Sequence, residues 1–317
     1  MFKKVIYILV FLSHLAAIAQ PAPGDDMNIP YLVTFGKDSE TKWGDHDFVQ
    51  TFFIEIPVNV SQPFYVRIFD PDVSGKFDEV KHQFNSQTRF SIYGGKGTIS
   101  GTNATKDMPV GTRQPGSLLK TRLFGQDSKI DGKWVTIGPF NPTEGEINTQ
   151  EYNGYIFKIL AEGIAGDDGN LYKYFISSSP NDNIAIEGAN IFTYEYTFRL
   201  YDELGSISHI YPFVTEDVVA VHIKTFDLDD DCYMRLVSVA KRGDPIKGSQ
   251  EDMWATSIHE LVSQEKKTSL DIQIIKSKSK VNNNMVMSIT NQYGKNIPFY
   301  NIPIGGVPKY KYTIKVK

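Results

Sequence analysis

The chain has 317 residues, with 33 Lys and Arg against 37 Asp and Glu and a net charge of −4. That balance leaves no basic footprint for nucleic acid. The single cysteine, Cys232, allows no intrachain disulfide, and a chain this long can build hydrophobic cores without one.

Lys3 and Lys4 precede an apolar run over 5–16, broken by Ser13 and His14, and Ala17-Ile18-Ala19 places small residues where a signal peptidase reads them. This order predicts a secretory leader over 1–19, cleaved before Gln20. The run falls short of the ~20 apolar residues a membrane span needs. No cysteine follows it to carry a lipid, and no later apolar run is long enough for a transmembrane segment. The expected localisation is periplasmic, outer-surface or secreted. One cysteine suits a bacterial envelope better than a eukaryotic secretory route, so the sequons at Asn59 and Asn103 read as chance.

Aromatic residues make up 13% of the chain, with 25 Gly and 16 Pro, which is the composition of strands and turns. Strands are predicted over 48–56 (FVQTFFIEI, ended by Pro57), 64–69 (FYVRIF, ended by Asp70-Pro71) and 89–93 (RFSIY). Windows 155–162 (YIFKILAE) and 171–177 (LYKYFIS) read as a hairpin with Gly166 to Gly169 at its tip. The run 192–200 (FTYEYTFRL) alternates at period two and reads as one strand. Further strands are expected over 218–226, 233–240, 268–275, 284–290 and 310–316, with Asn282-Asn283 turning the chain between two of them. Over 252–266, Trp254, Ile258, Leu261 and Val262 fall on one helical face, which suits one short amphipathic helix or a connection with one helical turn.

No strand–helix–strand alternation occurs, so a parallel sheet is not expected. The expected fold is all-β: two antiparallel β-sandwich domains, jelly-roll or Ig-like, with at most one short helix. The first would span 20–202, with an irregular insertion over 98–133. The second would span 206–317, after a polar turn at 201–206 (YDELGS).

Three acidic loops are candidate ion sites. The first is the run 70–79 (DPDVSGKFDE) directly after a strand, where Asp-x-Asp spacing can aim two carboxylates into one concavity and Gly75 allows a tight return. Calcium takes six to eight oxygens of this kind. The second is the tip Gly166-Asp167-Asp168-Gly169-Asn170, and the third is the run 227–231 (DLDDD). None matches an EF-hand loop, and Asp, Gly and Asn also serve simply as turn formers.

The segment 64–93, with FYVRIFDPDVSGKFDE followed by TRFSIYGG, resembles the strand–acidic loop–strand pattern of bacterial pre-peptidase C-terminal domains and of C2-type calcium-binding sandwiches. That resemblance implies a β-sandwich module accompanying secreted or envelope proteins, with Asp70, Asp72 and Asp78 as ion ligands. The insertion after Gly97 departs from both patterns. The Lys-led leader, its AIAQ ending and the Asn/Lys/Tyr/Ile-rich composition are similar to exported proteins of Bacteroidetes-type bacteria. The third loop adds Asp227, Asp229 and Asp231 as candidate ligands. No organic cofactor is expected.

Catalytic signatures are sparse. His259-Glu260 lacks the second histidine of a zincin helix, and there is no G-x-S-x-G elbow, Walker loop or Rossmann fingerprint. Cys232 sits beside three aspartates, which oppose thiolate formation. Trp43, Trp134 and Trp254, with Tyr152, Tyr155 and Tyr174, could stack on sugar rings. Trp43, in the polar stretch KWGDHD, is the least core-like and is the candidate ligand-binding residue. The expected function is a non-catalytic secreted or envelope binding or structural protein, cation-stabilised, recognising a surface polymer or a partner protein. The alternative is a secreted polysaccharide hydrolase using paired carboxylates, for which Glu55 and Glu195 lie inside strands.

Overall fold

A computed structural model describes residues 21–24, 29–101, 104, 115–229, 232–278, 284–301 and 303–305 of the protein. The expected leader over 1–19, the turn at Asn282-Asn283 and the expected strand over 310–316 lie outside the described residues. Within them the chain forms 21 strands, short 3-10 turns and no α-helix, so the protein is all-β.

Numbered in chain order, an eight-stranded sheet runs β17 (Trp254–Glu260), β14 (Ala220–Phe226), β20 (Asn284–Asn291), β11 (Glu195–Arg199), β1 (Tyr31–Phe35), β9 (Gly169–Ser177), β3 (Phe64–Phe69) and β6 (Trp134–Phe140). A second sheet runs β21 (Phe299–Tyr300), β10 (Asn190–Thr193), β2 (Val49–Pro57), β8 (Gly154–Ala165), β4 (Gln87–Gly94) and β5 (Ser117–Phe124), with β7 (Glu146–Asn148) paired to β8. A four-stranded sheet holds β12 (Ile207–Ile210), β19 (Asp271–Lys276), β15 (Cys232–Val237) and β16 (Arg242–Ile246), and β13 (Phe213–Val214) pairs with β18 (Thr268–Ser269). The neighbours described are antiparallel throughout.

Alternation places the core. On β2, Phe52, Ile54 and Ile56 face the larger sheet and join one buried cluster with Tyr172, Tyr174, Tyr196 and Phe198. Rings close the gap between the layers: Phe52 meets Tyr174 at 5.2 Å, Phe90 meets Tyr172 at 5.1 Å and Phe64 meets Phe157 at 4.9 Å. All three are edge-to-face pairs, an arrangement the ring quadrupole favours. A polar tie crosses the same gap. The Gln50 amide donates to Thr197 Oγ1 at 2.9 Å and accepts from the Thr197 N–H at 2.6 Å, so both buried groups are satisfied. Phe53, one residue out of phase, faces away and stacks with Phe192 in a second cluster on the outer side of the smaller sheet.

Several sequence expectations need correction. The windows 155–162 and 171–177 do not pair as a hairpin: β8 lies between β2 and β4, whereas β9 lies between β1 and β3. The stretch 166–169 is instead a crossing between sheets, because each strand finds its hydrogen bonds in a different layer. The run 192–200 likewise divides at Tyr194. β10 pairs with β2 in one sheet and β11 pairs with β20 in the other. Thr193 bridges the break, its hydroxyl placed on the carbonyls of Thr51 and Glu195.

The expected helix over 252–266 is strand β17 followed by a single 3-10 turn at Ser263–Glu265. Ala255 and His259 are buried while Trp254, Thr256, Ile258 and Glu260 are exposed, and seven consecutive residues pair with β14. Ladder pairing outweighed the helical spacing of four apolar side chains. Within the insertion over 98–133, the stretch 117–124 is strand β5, paired along β4. Strands from both sides of 201–206 share the eight-stranded sheet, through the β11–β20 pairing.

Candidate functional site

β3 delivers the chain into the first acidic loop at Asp70, which adopts a left-handed φ of 53° and is fully buried. Two segments remote in sequence close over this loop. The Asp70 N–H donates to the Lys133 carbonyl, and the Gly132 N–H donates to Asp70 Oδ1 at 2.6 Å. The Asp127 N–H and the Ser74 hydroxyl donate to Asp72 Oδ2 at 3.3 and 2.5 Å. From the start of β9, Asn170 Nδ2 donates to the Pro71 carbonyl at 3.0 Å.

The result is a crater whose polar atoms are only half used. Asp70 Oδ2, Asp72 Oδ1, Asp131 Oδ1 and Asn170 Oδ1 are all buried without a hydrogen-bond partner, and Asp70, Asp72 and Asn170 are each 0% exposed. Asp131 reaches the crater across Gly75. With φ at +78°, Gly75 leaves open the space that the Asp131 carboxylate occupies. Burial pushes the Asp70 carboxyl up to about 7. The Gly132 amide opposes that rise, and Asp72 and Asp131 add to it. Burial likewise raises Asp72, against the hydrogen bonds from Ser74 and Asp127.

Asp78, expected as a third ligand, is placed differently. Its Oδ1 accepts from the Leu171 N–H and its Oδ2 from the Ser74 N–H, both at 2.7 Å. Burial pushes its carboxyl up to about 9. It pins the loop to β9, while open oxygens come from Asn170, which the sequence placed in the second acidic loop rather than the first, and from Asp131, which it did not single out. Asp131-Gly132 in KIDGKW and the Asn ending GDDGN were the available signals. The unpartnered donor set is carboxylate and amide oxygen, without imidazole or thiolate, and fits a hard divalent cation such as calcium. Among the described residues the one trio of potential ligands gathered within 4.8 Å is Asp45, His46 and Asp47. An ion in the crater would therefore draw Asp70, Asp72 and Asp131 inward or hold one of them through water.

The Asp45 trio is built for a turn. Asp45 is buried, accepts from the Phe35 and Phe48 N–H groups at 3.1 and 3.0 Å, and is pushed up to about 7 by burial, with Asp47 adding to the rise. In the second acidic loop, Asp168 accepts from the Lys81, Asn85 and Ser86 N–H groups and the Ser86 hydroxyl, so that carboxylate is a latch. In the third, Asp227 and Asp229 both take φ of 57°, and Asp227 Oδ1 accepts from the Asp252 N–H at 2.8 Å. Asp231 lies outside the described residues.

Trp43 stands in a 3-10 turn against Phe35, with the Lys81 ammonium 4.3 Å from its ring centre and its carbonyl accepting from Asn284. Trp134 packs on Phe69 beside Arg67, Tyr174 is fully buried, and Trp254 stays 42% exposed. Glu55, on β2, accepts from Asn153 and Asn190, whereas Glu195, on β11 in the other sheet, lies 3.4 Å from His46 Nε2. No family model and no curated protein matches the chain.

Proposed function

We propose that this chain is a non-catalytic exported binding or structural module whose acidic crater takes a calcium-class cation. The carrying observation is the set of open, buried oxygens on Asp70, Asp72, Asp131 and Asn170. A buried carboxylate oxygen without a partner costs several kcal/mol. Evolution of a stable fold tolerates that where a cation supplies the missing interaction, since the ion replaces several hydrogen bonds at once. The ion would join the loop after β3, the turn 127–132 and the start of β9, adding to the hydrogen bonds by which these three segments already meet. Export rests on the leader over 1–19, and recognition of a surface polymer or partner protein is the role such a module would serve.

A melting curve of the mature protein tests the ion. Calcium at a hundred times its Kd should stabilise by about 2.7 kcal/mol relative to chelator, and Asp70→Asn should abolish the response. A midpoint indifferent to both calcium and magnesium would remove the reading. N-terminal sequencing of secreted material should begin at Gln20.

A further inference from the structure

On the outer side of the smaller sheet, a cavity of about 350 Å³ opens between the aromatic cluster and the loops that follow β13 and β20. We propose that this cleft binds a neutral saccharide, one sugar ring or a short stretch of a polymer. The inference adds a ligand class and a place to the binding-module reading, and it stands apart from the cation.

The floor is aromatic, supplied by Tyr152, Tyr194, Phe213 and Tyr300. Phe192 braces it from behind, with Tyr152 stacked on it at 5.0 Å and 10°, Tyr300 at 5.3 Å and 33°, and Phe53 at 5.3 Å and 19°. The Tyr152 and Tyr194 hydroxyls share a 2.6 Å hydrogen bond. A ligand would therefore meet phenols that are already ordered, at little conformational cost. Tyrosine is suited to such a ligand because it joins an apolar ring to a polar tip.

The walls carry unspent polar groups. No hydrogen bond joins the Tyr300 hydroxyl to another described residue. Asn291 spends its Oδ1 on the N–H groups of Tyr293 and Lys295, so its Nδ2 remains available to a ligand. The Asn296 amide also lines the cleft, as does Asp217, which accepts from the Thr215 hydroxyl and is held below the usual carboxylate range chiefly by that bond. A Glu151–Lys295 ion pair of 3.1 Å stands at the mouth. Glu151, Asp217 and Lys295 together leave one net negative charge, which disfavours phosphorylated or carboxylated ligands.

Lipid tails would leave the amides unpaired, at a cost for each. A hydroxylated ring matches both parts: its C–H faces lie against the phenols and its hydroxyls both donate and accept. The volume sits at the small end of the range for ligand sites, about 300–1,000 Å³.

The test uses the mature protein and four neutral hexasaccharides as probes: cello-, chito-, manno- and laminarihexaose. Titration calorimetry should find saturable binding of at least one, unchanged in chelator. Asn296→Ala and Tyr300→Phe should each weaken it about tenfold, the loss of one hydrogen bond to the ligand, with melting midpoints kept. Retention in chelator separates this site from the crater, so either reading can fail alone. Four silent titrations at millimolar sugar would overturn the proposal, as would binding indifferent to both substitutions. Displacement of the bound sugar by a peptide extended along β21, with tighter affinity than any sugar, would also overturn it.

Discussion

Asp78 and Asp131 carry the same side chain and meet different fates. Asp78 gives each oxygen to a backbone N–H, from Leu171 and Ser74. In Asp78→Asn, an NH2 group would have to face one of those N–H donors. Stability should fall by about 1–3 kcal/mol, equally with and without calcium, in a denaturant titration. Asp131 keeps Oδ1 open. Asp131→Asn should leave the chelated protein close to wild type, since it removes a like charge from beside Asp70, yet lose most of the calcium-induced rise in Tm. Equal behaviour of the two variants would dissolve the distinction between latch and ligand.

At the scale of the element, Gly75 sets how the acidic loop closes. A Cβ there would fall on the Asp131 carboxylate, and φ of +78° already disfavours any side chain. Gly75→Ala should cost about 1–2 kcal/mol for the left-handed backbone alone and should also weaken calcium binding, read as a shifted midpoint in a calcium titration. Truncating the centre of the outer aromatic cluster, Phe192→Ala, should cost about 3–5 kcal/mol. The period-two windows made most strands legible: 48–56, 64–69 and 89–93 lie within a residue or two of β2, β3 and β4. Pairing partners were not legible, because alternation shows which face is buried without showing which layer supplies the hydrogen bonds. That is why β8 and β9 looked like a hairpin and 192–200 looked like one strand. The crater was half legible for a related reason. Asp70 and Asp72 adjoin in sequence, whereas Asp131 and Asn170 arrive only when β6 and β9 flank β3.

For the whole molecule, the buried acids make stability depend on pH. Asp70 is raised to about 7 and Asp78 to about 9, so the folded chain holds protons that the unfolded chain has released. Without a cation, the contribution of these two acids to stability should be full below the ordinary carboxylate value of about 4 and should be lost as pH rises toward 7 and then 9. Calcium competes with the proton on Asp70. The calcium-induced gain in Tm should therefore grow from pH 6 to pH 8, and a gain that shrinks over that interval would contradict the crater's role.

The division at Tyr194 has a mechanical consequence. Residues 190–193 are stitched into one layer and residues 195–199 into the other, with Thr193 bonded on both sides of the seam. Pulling the layers apart would tear this short run from one of its ladders before either face could be wetted. Slow amide exchange should accordingly rise and fall together in β2 and β20, as one lock shared by two doors.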